Sequence, residues 1–172
     1  MKIRFFWLAA IALCSVSALT WAADPAGVPT EDRQQIADLV SRYAYTYDSK
    51  DVEGFVALFT QDCLWESYAG AEQKKIAKVT NRDELRSIVS QRLAMMQQKG
   101  IQSRHYQTNT LLTARSDGQV EGTTMLNLVR QVPGAQPMTA TTGIYRDVFV
   151  RTTAGWRFAK RSLYIDQVEL PK

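Results

Sequence analysis

Up to about position 99 the apolar residues recur with a helical period. Beyond Gly100 they alternate. Ile36, Leu39, Val40, Tyr43 and Tyr47 fall at i, i+3 and i+4 spacing, which predicts a helix over 30–47 with one buried stripe. Thr30 stands as its cap, and Glu31 and Asp32 suit the positive end of the dipole. Ser49-Lys50-Asp51 breaks it. Val52, Phe55, Val56 and Phe59 then predict a second short helix, and 60–62 a turn into a strand over 63–68. Residues 69–80 carry no clear period apart from an extended piece at 76–79. Asn81 and Glu84 form a capping pair for a third helix, traced by Leu85, Ile88, Val89, Leu93 and Met96 and ended by Gly100.

The second half predicts four strands, over 103–115, 119–131, 138–152 and 155–168. Ser116-Asp-Gly118, Pro133-Gly134 and Thr153-Ala-Gly155 supply the turns. Helices followed by a run of antiparallel strands give an α+β fold. Such a sheet has to curl around the helices to bury them. The expected shape is a cone, a curved and mostly antiparallel sheet around three helices, with an internal pocket at its open mouth.

The first residues read differently. Lys2 and Arg4 precede an apolar run over 5–19, and Thr20-Trp21-Ala22 has small residues where a signal peptidase reads. The expectation is a signal peptide over 1–22, a linker over 23–29 with two prolines and a glycine, and one domain over 30–172. This implies export, with the bacterial periplasm as destination. Leu13 before Cys14 argues against a lipoprotein signal. Without the leader the formal charge falls from +4 to +2, and no Lys/Arg run marks a nucleic-acid surface. Nor does anything in the mature part imply a stable membrane attachment. Cys63 is then a lone cysteine and reads as a buried apolar residue.

Two residues stand out for chemistry. Asp48 lies four positions after Ala44 and eight after Val40, on the border of the apolar stripe. A carboxylate there needs a partner or a task, and desolvation makes it more basic. His105 is the one histidine of the chain, in the strand-like run Arg104-His-Tyr-Gln-Thr-Asn-Thr110. Alternation puts His105, Gln107 and Asn109 on one face. That row serves either as a pocket wall or as a solvated face. Trp65 joins the candidate ligand wall. Arg146 and Arg161 could clamp an anion at the mouth, or pair with Asp147 and Asp166 in solvent. A single histidine and no cysteine pair leave no zinc-like ligand set, and no phosphate loop or nucleophile elbow is present, so neither metal nor cofactor is expected.

The order of helix, Tyr-Asp-Ser-Lys-Asp, Leu-Phe-Thr-x-Asp, third helix, Arg-His-x-x-x-Asn and Gly-x-Trp-Arg-Phe-Ala resembles the nuclear transport factor 2-like superfamily. Within it the resemblance is to the SnoaL-like and scytalone dehydratase-like proteins, over about residues 31–168. It implies the cone fold, a deep small-molecule pocket and a homodimer. In scytalone dehydratase a tyrosine directly precedes the catalytic aspartate, a pattern that lands on Tyr47 and Asp48. In bile-acid dehydratases a tyrosine five residues earlier lands on Tyr43, and the histidine of both groups lands on His105. The second histidine of scytalone dehydratase has no counterpart within 139–145. The expected function is a cofactor-independent lyase of the dehydratase type or an isomerase, acting on a small apolar hydroxylated or carbonyl compound through Asp48 and His105. The alternative is a binding or dimeric assembly module without turnover.

Overall fold

The structure, a computed structural model, describes residues 27–166. The expected signal segment and most of the expected linker lie outside the described residues. Three helices, α1 (Thr30–Asp48), α2 (Val52–Val56) and α3 (Arg82–Gln98), pack on one curved sheet. Its strands are β1 (Phe59–Ala69), β2 (Lys74–Val79), β3 (Gln102–Ala114), β4 (Val120–Gln131), β5 (Met138–Thr152) and β6 (Gly155–Ile165). The order across the sheet is β2-β1-β6-β5-β4-β3, and all neighbours are antiparallel except β1 with β6. The fold is therefore the expected α+β cone, with an open sheet.

The predicted stripe of α1 is buried as a unit: Ile36, Leu39, Val40, Tyr43 and Tyr47 all face inward. They meet an aromatic layer. Tyr43 and Phe55 rings lie 4.8 Å apart, Phe59 and Phe158 5.1 Å, and Phe149 and Phe158 5.1 Å. Tilted ring pairs of this kind add to the area they bury. Cys63 is buried in this core, and burial pushes its thiol up to about 11.

The helix ends differ in detail from expectation. Thr30 is the first helical residue, Pro29 occupies the capping position, and no side chain caps the start. Asn81 does cap α3, accepting the Glu84 N–H at 2.8 Å. The Glu84 carboxylate reaches one residue further back than a capping box does, to the Thr80 N–H at 2.8 Å. Phe59 and 60–62 belong to β1 rather than to a helix and a turn. The parallel pairing with β6, broken by a register shift between Phe59 and Leu64, draws them into the sheet.

Two bulges decide which side chains enter the cone. The β3–β4 register slips between Thr108 and Leu111, where Asn109 has φ +54°. Inward positions run Ser103, His105 and Gln107 before the slip, then Thr110 and Leu112 after it. The β5–β6 register slips between Val148 and Phe149, so Phe149 pairs with Phe158 while Val148 pairs with Lys160. Ala159 is the extra residue, and it turns Arg161 inward.

Candidate active site

The last turn of α1 meets β3, the strand at one edge of the sheet. An edge strand has backbone N–H groups that no strand accepts. Asp48 takes one of them. Its Oδ2 accepts the His105 backbone N–H at 2.8 Å, while its Oδ1 accepts the Ser103 hydroxyl at 2.8 Å and contacts His105 Nδ1 at 2.7 Å. Gln102 adds a fourth tie, donating from Nε2 to the Asp48 carbonyl at 2.9 Å. The helix stops here because Lys50 takes a left-handed conformation, φ +65°, directly after it.

This arrangement fixes the chemistry of the ring. An ionised carboxylate only accepts, so Nδ1 carries the proton and Nε2 is left with a free lone pair. The His105 side chain is 6 % exposed and that of Asp48 10 %. The sequence predicts a carboxylate beside an apolar stripe, in need of a partner or a task. The structure gives it three donors, which makes it the group that orients the imidazole.

His105 lines an internal cavity of about 190 Å³ with Tyr43, Tyr47, Trp65, Tyr145 and Leu128. Tyr47 and Tyr43 rings lie edge-on to the imidazole, at 5.0 and 6.0 Å between centroids. Burial raises the Tyr47 phenol above its ordinary range, against the pull of the Arg92 charge. Burial also raises Tyr145, next to Tyr43, well above that range. Both phenols therefore stay protonated at neutral pH and can donate. The buried Trp65 indole N–H has no partner among the described residues. A wider groove of about 490 Å³ runs outside, between α1 and the sheet edge, past Tyr45, Arg104 and Tyr106. It is the larger hollow of the two, and Asp48 and His105 line it as well, while the imidazole packs edge-on to Tyr43 and Tyr47 of the inner one.

Asp48, His105, Tyr43, Tyr47 and Trp65 thus converge, and three of the other expected site residues do not. Gln107 shares the inward face, but its amide is committed to the Val40 carbonyl at 3.1 Å and to the Arg161 guanidinium. Asn109 is turned out by its bulge and bonds the Met125 sulfur at 3.3 Å on the outer face. Arg146 is exposed on that outer face, its guanidinium 4.8 Å from the Tyr164 ring centroid.

The sequence reading passes over Ser103, Arg92 and Arg130, and it expects Arg161 at the mouth or in solvent, where the structure buries it. Ser103, two positions before His105 and so on its face, was legible from alternation. Arg92 falls three residues after Val89 and four before Met96, exposed beside the buried stripe of α3, and it lines the cavity. Arg130 lies opposite Ser103 in the β3–β4 register and lines it too. Arg161 is fully buried, 3.7 and 3.9 Å from the Tyr145 and Tyr43 ring centroids. Its Nε lies 3.3 Å from Asp147 Oδ1, yet neither atom has hydrogen-bond geometry. Burial raises Asp147 to about 7, against the opposing charge of Arg161.

The chain belongs to the SnoaL-like domain family, whose model matches residues 29–162. Among solved structures it is similar to ActVI-ORFA from Streptomyces coelicolor, with a TM-score of 0.71 and 20 % identity over 83 % of this chain and 100 % of that one. It is also similar to an NTF2-like protein with a cystatin-like fold from Novosphingobium aromaticivorans, at TM-score 0.66 and 24 % identity over 78 % and 82 % of the two chains. A third, from the same organism and provisionally named a scytalone dehydratase, gives TM-score 0.64 and 19 % identity over 80 % and 85 %. At these identities the likeness is one of fold. No protein of the curated set matches the chain in sequence.

Proposed function

We propose that this SnoaL-like protein is a cofactor-independent dehydratase or isomerase for a small, largely apolar ring compound bearing a carbonyl and, for dehydration, a β-hydroxyl. The observation that carries this reading is the 2.7 Å contact of Asp48 with His105 Nδ1, at the wall of a cavity lined by phenols and aliphatic side chains. His105 Nε2 takes a proton from the carbon next to the carbonyl, and Asp48 stabilises the imidazolium. A phenol, Tyr47 or Tyr43, donates to the carbonyl oxygen as negative charge develops there. The enolate electron pair then expels the β-hydroxyl, which takes the same proton from Nε2 and leaves as water. In isomerisation the imidazolium returns the proton to a different carbon. One histidine suffices for either route.

A screen of ring ketols followed by mass spectrometry tests this, with wild type beside His105→Ala. Loss of water or isomerisation by wild type alone is expected. Compounds that bind but emerge unchanged across the series would leave a binding module.

Two further parts of the proposal concern context. The leader over 1–22 supports export to a periplasm. Tyr106, Leu111 and Met125 are exposed large apolar side chains of β3 and β4, and they support pairing of two copies across the outer face of the sheet. Light scattering of the purified protein reads that directly.

A further inference from the structure

Charge of one sign lines the cavity. Two guanidiniums stand there, Arg92 from α3 and Arg130 from β4, and no carboxylate is among the lining residues. Neither arginine forms an ion pair among the described residues, whereas Arg86, Arg115, Arg151 and Arg161 each do. The two come from different elements and line the same cavity. Both charges oppose the rise that burial gives the Tyr47 phenol. Both residues are exposed, Arg92 flanking the buried positions Val89, Leu93 and Met96 of α3 and Arg130 lying opposite Ser103 across β3 and β4.

Two cations at one cavity with no carboxylate among its lining residues favour an anion there. Planar guanidiniums match carboxylate geometry, with paired N–H groups for paired oxygens. The rest of the wall combines apolar side chains, including Trp65, Leu126, Leu128 and Leu163, with the hydroxyls of Ser67, Ser103, Thr141 and the tyrosines. The volume limits the body of the ligand. A dry cavity of roughly 150 Å³ holds benzene, so about 190 Å³ admits one ring with small substituents.

We infer that the ligand is a single-ring carboxylate, its ring against Trp65 and the leucines and its carboxylate between Arg92 and Arg130. As a statement about substrate it rests on the proposed reaction at this cavity. As a statement about binding it stands on the arginines. The carboxylate anchors one end of the molecule, which fixes the ring carbon that faces His105 Nε2.

Calorimetric titration with matched acid and amide pairs, benzoate against benzamide and cyclohexanecarboxylate against its amide, tests the inference. Wild type should bind each acid about tenfold or more tighter than its amide, as charge-assisted hydrogen bonds require. In Arg92→Gln/Arg130→Gln the preference should fall to within about twofold, and in Arg92→Lys/Arg130→Lys part of it should return. Unchanged melting of the variants excludes loss of fold. Equal affinity for acid and amide in wild type would overturn the inference. So would a preference untouched by the glutamines, or no binding of any member up to about 10 mM. A protein that prefers acids but converts nothing would support the anion site and refute only the reaction.

Discussion

Replacing Asp48 by asparagine separates the two jobs this carboxylate performs, holding α1 on the sheet edge and setting the state of the imidazole. Asp48 accepts from three donors: the Ser103 hydroxyl, the His105 backbone N–H and His105 Nδ1. The backbone donor cannot turn away, so the asparagine carbonyl must take it. The amide NH2 then faces Ser103 and Nδ1. The hydroxyl can rotate to accept, and the imidazole can accept only by moving its proton to Nε2. Every polar atom stays paired, and the loss is the difference between charge-assisted and neutral bonds, about 1–2 kcal/mol. For a domain of this size that is a fall in Tm of roughly 3–6 °C. Asp48→Ala abandons all three donors. At about 1 kcal/mol each, the low end because the outer groove lets water reach them, it loses about 3 kcal/mol, or roughly 9 °C.

The functional effect runs the other way. With its proton on Nε2 the ring presents a donor to the cavity and no longer a base, so turnover should fall about 100-fold or more in Asp48→Asn despite its near-native stability. His105 is the one histidine of the chain, so long-range nitrogen–proton NMR on untagged protein reads its tautomer without overlap. Protonation at Nδ1 in wild type and at Nε2 in Asp48→Asn is the expected pair of results. An asparagine variant that keeps the Nδ1 proton, or keeps turnover, would refute the reasoning. One that fails to fold would reduce Asp48 to a structural tie.

Three other outcomes follow from particular contacts. Asp147 is raised to about 7 in the folded state against about 3.9 in the unfolded chain. The folded state therefore holds the proton more tightly, and this contribution to stability, full below about pH 4, is lost as pH rises through about 7. Subtracting urea melts of Asp147→Asn from those of wild type should show the decline across that window and a level difference above it. Gly143→Ala should destabilise by about 2 kcal/mol or more in the same assay, because a Cβ there would stand 2.4 Å from the Tyr164 backbone carbonyl oxygen. Gly70→Ala meets no atom, so its cost should come from its positive φ alone and be the smaller of the two. The intact mass of protein secreted from a bacterial host should correspond to a chain beginning at Ala23; a mass that retains residues 1–22 would remove the export proposal.

Periodicity made the helices and the four later strands legible, because each buries a single face. The same regularity put His105, Gln107 and Asn109 on one face without deciding which way it points, and the border position of Asp48 placed it at the end of α1. What the sequence hides is where the period breaks. Strict alternation sends Asn109 in with His105, and nothing in Gln107-Thr-Asn109 announces the slip that turns it out. Strict alternation from Phe158 likewise sends Lys160 in and Arg161 out, and the extra Ala159 reverses them. Bulges depend on how two strands fit a strongly curved sheet, a long-range property that no short window contains. Of β2 the sequence showed only an extended piece at 76–79, because the strand stays exposed along most of its length at the sheet edge and so lacks an alternating pattern. Arg92 is exposed beside the buried stripe of α3. A charge at such a position is read as a border residue until the facing wall is known.

Hydrogen exchange at carbon tests the central claim most directly, because it needs proton transfer alone and no later step. A ring ketone shown to bind the cavity is held in D2O with the protein, and deuterium entering the carbon next to the carbonyl is followed by NMR. Wild type should catalyse the exchange. His105→Ala should not, and added imidazole should restore part of the rate by supplying the missing base. Exchange by His105→Ala as fast as by wild type would contradict the account, since the base would then lie elsewhere.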